Sequence, residues 1–349
     1  MLVINGPYSD AGHEEKGHPE RPERLAAAMA AVDDLHLGSD LVVAPSYAAS
    51  RAELVRVHNG NYLDELGAFC YSGGGNIDQD TYATMDSWTI AQYAAGAGLK
   101  VIEELRRLDD GVGFIAARPP GHHALPDRAM GFCLLNNVAI AAAELLSHGE
   151  RVLIVDWDVH HGNGTEHAFY ENPTVLTISL HQDNLYPADS GKVEDTGVGA
   201  GQGCNLNIPL PPGSGNGAYE AAMERVVVPA IRTFRPEIIL VACGFDASML
   251  DPFAIMMLDS HGFARMTRIV LDLAAEICDG RLAMIHEGGY SSAYVPFCGA
   301  AAIEELLGSA ARIEDPFIEA FRQMAYTELQ PQQDEAIRRA EANLALVPA

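Results

Sequence analysis

The sequence predicts an α/β fold: a single domain with an open, mostly parallel, doubly wound sheet flanked by helices. Three observations point there. Five short apolar runs recur along the chain, longer amphipathic segments separate most of them, and polar clusters follow four of the five. Continuous Val/Ile/Leu runs, unlike alternating ones, suit strands covered on both faces, as in a parallel sheet. Their alternation with helical segments is the βαβ pattern.

In chain order, a helical segment over 86–108 precedes the first run, GVGFIAA (111–117). A second helical segment over 134–148 leads into RVLIVDW (151–157), and TVLTISL (174–180) follows. Helical segments over 216–234 and 260–278 precede EIILVAC (237–243) and RLAMIH (281–286). The last three helical segments are rich in Ala, Leu and Glu, or repeat apolar residues at i, i+3 and i+4, with Gly breaks at their ends. Beyond residue 310 the tail is rich in Ala, Glu and Gln and predicts terminal helices. With no internal repeat, low-complexity tract or long Pro/Ser linker, residues 1–349 read as one domain.

Composition narrows the function classes. Lys and Arg total 22 against 48 Asp and Glu, a formal net charge of −26. Such a surface repels phosphate backbones, and no basic stripe compensates, so nucleic acid is excluded as a partner. The same field attracts cations: a polyamine, a lysine-bearing peptide or a metal ion. The longest apolar stretches fall well short of the ~20 residues a bilayer span requires. The start, MLVINGPYSDAG, does not read as a signal peptide. Six cysteines lie scattered without a CxxC pair, which predicts reduced thiols and a cytoplasmic enzyme.

The polar clusters all fall just past apolar runs. Arg118-Pro-Pro-Gly-His122-His123 follows the first, and Asp156-Trp-Asp158-Val-His160-His161-Gly-Asn163 closes the second. Gly244-Phe-Asp246 and Glu287-Gly-Gly-Tyr290 follow the fourth and fifth. In a parallel sheet these positions lie beyond the carboxyl ends of strands, where α/β proteins bind ligands. Asp156, Asp158 and His160 alternate, so an extended segment would put them on one face. Two of them could share a cation with Asp246, because a carboxylate past an apolar strand needs a partner or a metal. An oxygen and nitrogen set with an open position suits a catalytic divalent ion such as zinc. His122 and His123, behind a stiff Pro-Pro-Gly turn, fit a general acid/base pair. Tyr290, after two glycines, could donate a hydrogen bond to a developing oxyanion.

Together RPPGHHA, GFCLLNN, VDWDVHHGNGT, ISLHQ, GFDASMLDP and EGGYS resemble the zinc-dependent histone deacetylase superfamily. Among its members they are most similar to bacterial histone deacetylase-like amidohydrolases and acetylpolyamine amidohydrolases, grouped with class II. The resemblance runs from about His18 to about Glu305. It implies one Zn2+ per chain on Asp158, His160 and Asp246. It makes His122 and His123 the proton-handling pair and Tyr290 the phenol that polarises the substrate carbonyl. It has Asp156 orient His122 and, with Ser179, help form a monovalent-cation site for K+. Phe132, Tyr186, Gly131 and Gly289 would line a substrate tunnel, Tyr186 standing where a phenylalanine is more usual. Asn163 replaces the aspartate that pairs with the second histidine in class I, so His123 should be raised less than an anionic partner would raise it.

The implied reaction is hydrolysis of an N-acyl amide, such as acetyl-lysine or an acetylpolyamine, by a homo-oligomer of dimer or tetramer order. Asp78 or Asp80 is the candidate rim carboxylate. The alternatives are a hydrolase of another small amide and an arginase-like ureohydrolase with two manganese ions. The latter needs a carboxylate two residues after Asp246, where this chain has Ser248. A non-catalytic acyl-lysine binding module is a third reading, and Tyr290 argues against it.

Overall fold

The computed structural model describes residues 2–6, 11–25, 41–108, 111–308, 314–324 and 327–349. Its strands are β1 (Leu2–Gly6), β2 (Leu41–Pro45), β3 (Gly75–Asn76), β4 (Tyr82–Ala83), β5 (Val112–Ile115), β6 (Val152–Asp156), β7 (Val175–Gln182), β8 (Asn205–Leu210), β9 (Ile238–Cys243) and β10 (Leu282–His286). Eight of them form one sheet in the order β2-β1-β5-β10-β9-β6-β7-β8. Every neighbouring pair in it is parallel, where the sequence predicted a mostly parallel sheet. β3 and β4 make a separate antiparallel hairpin.

All five predicted strands are present; β1, β2 and β8 extend the sheet beyond them, and the β3–β4 hairpin is a further addition. β8 (NLNIPL) carries no apolar run, because it alternates polar with apolar residues. Its Asn205 and Asn207 both donate to Glu166 Oε2, at 2.7 Å each, so they are buried with a partner.

The pleat divides the apolar runs between two cores. Leu153 and Val155 of β6, Ile239 and Val241 of β9, and Leu282 and Met284 of β10 pack with Tyr219, Phe263, Val270 and Ile303 on one face. Val152 and Ile154, Ile238 and Leu240, and Ala283 and Ile285 pack on the other with Ala97, Val101, Val138 and Leu145. These partners come from the helices Asn216–Ala222, Ser260–Ile277 and Val295–Leu307 on the first face, and Ser87–Leu105 and Asn137–Ser147 on the second. The helix predicted over 216–234 is continuous in space but carries a π-turn at Met223–Val227. Each fully buried Val, Leu, Ile, Phe or Met among them contributes about 1.5–3 kcal/mol by leaving water. Packing is tight enough that an alanine at Gly113 would drive its Cβ into Val101 of the Ser87–Leu105 helix.

Among the described residues no helix is long and apolar enough to cross a membrane. The sheet order matters for chemistry: β5, β10, β9 and β6 are four adjacent strands. Their carboxyl ends bring the four polar clusters side by side.

Candidate active site

After Asp156 the chain leaves the sheet and bends, so the three alternating residues do not share a face as an extended segment would have required. Asp158 and His160 turn toward Asp246 at the end of β9. One ligand atom from each of the three lies within 4.8 Å of the others. His160 Nδ1 is 3.1 Å from Asp158 Oδ1 and 3.2 Å from Asp246 Oδ2. The remaining carboxylate oxygens are held by main chain: Asp246 Oδ1 accepts from Val159 N–H at 2.8 Å, and Asp158 Oδ2 from Gly288 N–H at 2.8 Å. Both carboxylates are fully buried, and Asp246 Oδ2 is not satisfied by a well-formed hydrogen bond. Burial and the neighbouring Asp158 push the Asp246 carboxyl up to about 6. Two buried carboxylates this close, with an unsatisfied oxygen between them and an imidazole, fit a divalent cation. Space is kept for them: a Cβ on Gly288 would collide with Asp246 Oδ2.

Asp156 instead faces the tandem histidines. His122 Nδ1 lies 2.9 Å from Asp156 Oδ2, and His123 Nδ1 lies 2.8 Å from Asn163 Oδ1. The two rings are 4.0 Å apart. Burial depresses His122, but Asp158 and Asp156 outweigh it and raise the imidazole well above its ordinary value. Burial and the adjacent His122 and His160 hold His123 well below its own. Their surroundings thus push the two neighbouring imidazoles in opposite directions. Glu287 Oε2 accepts from Gly121 N–H (2.6 Å) and His122 N–H (3.1 Å), anchoring the loop that carries both.

A cavity of about 250 Å3 opens above this centre, lined by His123, His160, Gly131, Phe132, Leu185, Tyr186, Phe253, Tyr290 and Asp80. Gly131 has φ +55°, and a Cβ there would strike the His123 ring and come within 2.9 Å of Tyr186. Phe132 itself holds φ +68°, a sparsely populated conformation for a bulky residue. Its N–H donates to Thr81 Oγ1 at 3.1 Å. Tyr186 stands edge-on to His123 with centroids 5.0 Å apart. Gly289 lies behind this lining: its carbonyl accepts from Arg24 Nε at 2.8 Å. The two rim acids separate. Asp80 lines the cavity, whereas Asp78 Oδ1 caps the hairpin turn by accepting from Asp80 and Thr81 N–H. Ser179 sits opposite Asp156 in the β6–β7 register, and its hydroxyl pairs with His181 Nδ1 at 2.9 Å.

Several residues given no role from the sequence support this site. Arg24 stacks over the Tyr290 ring, 4.3 Å from its centroid, and donates to the Glu287 carbonyl at 2.6 Å. Its guanidinium also meets the fully buried Glu20, which Arg118 grips through Nε at 2.9 Å and Nη2 at 2.6 Å. Burial would raise the Glu20 carboxyl, but His13, Arg118 and Arg24 hold it well below the usual carboxylate range. Removing one partner of a buried ionic network costs roughly 3–5 kcal/mol, so Glu20→Gln is expected to lower the melting temperature at neutral pH. Glu20 ionises more readily folded than unfolded, so its stabilisation is present above its unfolded value near ~4.3 and lost as pH falls below it. The stability difference between wild type and variant, followed by chemical denaturation, should therefore shrink on acidification from about pH 5 downward. A difference that is constant or grows would show that the network does not act through ionised Glu20.

Residues 18–306 match the model of the histone deacetylase domain family. The chain is 45% identical over 302 residues to a histone deacetylase-like amidohydrolase from Pseudomonas aeruginosa, covering 86% of this chain and 80% of that protein. It is 38% identical over 283 residues to a probable deacetylase from Archaeoglobus fulgidus, covering 80% and 78%. In three dimensions it is similar to the crystal structure of the HDA15 HD domain: TM-score 0.87, 31% identity, covering 99% of this chain and 98% of that one.

Proposed function

The chain belongs to the histone deacetylase domain family, and from that premise we propose that it is a zinc-dependent amidohydrolase removing acetyl or similar acyl groups from amines such as acetyl-lysine or acetylpolyamines. One observation carries the reading: Asp158, His160 and Asp246 converge at the foot of a cavity that His123 and Tyr290 also line. Those three residues would hold the ion, which when bound supplies Lewis-acid polarisation of a carbonyl and a more acidic water.

The chain's own groups do the rest. His123 hydrogen-bonds the neutral Asn163 through Nδ1 and stands neutral, so its Nε2 is the acceptor for the water proton. His122, paired with Asp156, keeps its proton and offers a fixed positive charge beside the reacting atoms. Burial holds the Tyr290 phenol well above its ordinary value, so it stays protonated and donates to the developing oxyanion. The proton on His123 then passes to the leaving amine. Phe132 and Tyr186 flank the passage that a slender aliphatic chain would occupy, and Asp80 at its mouth suits a cationic substrate or a peptide N–H. Asp156 and Ser179, adjacent in register, would face a K+ ion.

A binuclear ureohydrolase is disfavoured: Ser248 is buried where a carboxylate would be required, and the metal-ligand group found among the described residues is a single triad. The deciding assay offers acetylputrescine, acetylspermidine, an acetyl-lysine peptide and a trifluoroacetyl-lysine reporter to the zinc-loaded chain. At least one should be hydrolysed, and a hydroxamate should abolish that activity. Cleavage of none would overturn the substrate class, and tight binding without turnover would favour a binding module.

A further inference from the structure

A second concavity, of about 310 Å3, lies on the surface and is left unused by the mechanism above. Leu66 and Phe69 of the helix Gly60–Tyr71 and Ile77 of the β3–β4 hairpin give it an apolar lining, and the exposed Glu65, Asp127 and Arg128 border it. Among the described residues none forms an ion pair or a side-chain hydrogen bond with these three, so two acids and one cation stand open to an incoming chain. The groove is built before anything enters it. Tyr62 OH donates to the Leu134 carbonyl at 2.5 Å and Asn59 N–H to the Pro126 carbonyl at 2.7 Å, fixing the helix against the segment that carries Asp127 and Arg128. A preformed apolar concavity with a few polar groups at its edge is the usual form of a binding site.

Two segments wall both this groove and the catalytic cavity. The hairpin gives Ile77 to the groove and Asp80 to the cavity, and it is closed between them by Ile77 N–H donating to the Thr81 carbonyl at 2.8 Å. On the second segment Arg128 borders the groove, while Gly131 and Phe132 border the cavity. Phe132 N–H donates to Thr81 Oγ1 at 3.1 Å, so the two walls are tied together. An extended chain advances about 3.3 Å per residue, so a peptide that delivers an acyl-lysine past Asp80 reaches the groove within two or three residues. A polyamine has no apolar branch to set on Leu66, Phe69 and Ile77. The border charges, two acids against one arginine, and the chain's net charge of −26 both favour a cationic visitor.

Resting on the amidohydrolase reading, we propose that this groove is a second binding site, which takes the flank of an extended basic peptide whose acyl-lysine fills the catalytic cavity. An apolar side chain two or three residues from the acyl-lysine seats on Leu66, Phe69 and Ile77. A lysine or arginine beside it meets Glu65 and Asp127, and Arg128 is placed to donate to a peptide carbonyl. The groove is remote from the reacting atoms, so it acts on KM and leaves kcat alone. It also sets a peptide apart from a free acetylated amine, which ends at the cavity mouth.

The test uses the full zinc-loaded chain and two substrates. One is acetyl-lysine capped at both ends; the other is a heptapeptide with acetyl-lysine at its centre, flanked on each side by glycine, leucine and arginine. Wild type should prefer the heptapeptide by about ten-fold in kcat/KM, the lower end of what filling an apolar pocket provides, with the gain in KM. Glu65→Lys combined with Asp127→Lys alters only exposed side chains and should cut that preference by about five-fold, as should raising the salt concentration on wild type. Phe69→Ala should cut it by about three-fold or more, with the capped substrate cleaved as by wild type. No preference in wild type, or a preference that survives both variants, overturns the groove while leaving the amidohydrolase reading intact. A wild type that cleaves neither substrate counts against that reading, and the groove is then judged by fluorescence anisotropy of the labelled heptapeptide. Binding weakened by both variants supports it, and binding equal to wild type overturns it. Variants that lower the molecular mass in light scattering, with peptide preference and binding unchanged, assign the groove to a second copy of the chain and likewise overturn the proposal.

Discussion

Tyr290→Phe is expected to lower turnover by about 10²–10³-fold, the usual consequence of deleting one donor to an oxyanion. The substitution removes a single oxygen. Its ring contacts with Phe132, Phe253 and the Arg24 guanidinium survive, as does the main-chain bond to Asp251, so the site should keep its shape. Metal content and melting temperature should therefore match wild type, and the loss should sit in kcat and not in KM. Steady-state kinetics on any substrate that the wild type cleaves will show it. Near-wild-type kcat would remove Tyr290 from the chemistry.

The second large effect belongs to Asp246→Asn. The amide can still accept the Val159 N–H, so the fold around β9 is retained. What disappears is the charge that faces His160 Nδ1 and the unsatisfied Oδ2. Disturbing an outer-shell partner of a metal typically costs ~10–100-fold in affinity, and losing a charged ligand should cost more than that. Hydrolysis should fall with metal content. The apo chain should gain stability or hold level, because two buried carboxylates no longer confront each other. Zinc titration by equilibrium dialysis, beside a metal-free melt, reads both effects. Wild-type zinc affinity in this variant would exclude Asp246 as a ligand.

What could be read from the chain follows from sequence distance. Asp158, His160 and Asp246 stood out because each lies within a few residues of an apolar run, and the parallel-sheet expectation placed those run ends together. Asp156 is harder to place by spacing, because alternation groups it with Asp158 and His160 only in an extended segment, and the chain bends directly after β6. Asp78 and Asp80 were indistinguishable until the hairpin showed one capping the turn and the other facing the cavity. Glu20 and Arg118 are 98 residues apart, and Arg24 and Gly289 are 265 apart, so no local pattern betrays the buried network beneath Tyr290. Asp251 reads as an ordinary loop acid; only the structure shows that it accepts the Tyr290 and Phe253 N–H groups. β8 gives no apolar run, because its alternating asparagines hide a buried strand whose two amide Nδ2 groups donate to Glu166.

The most direct measurement is elemental analysis of the purified chain, dialysed free of metal and then reloaded with zinc or with manganese, with activity followed in parallel. One zinc per chain, rising with hydrolysis and lost in Asp246→Asn, is the outcome expected here. Two manganese ions per chain, or a wild type that retains no divalent ion, would contradict a mononuclear centre built from Asp158, His160 and Asp246.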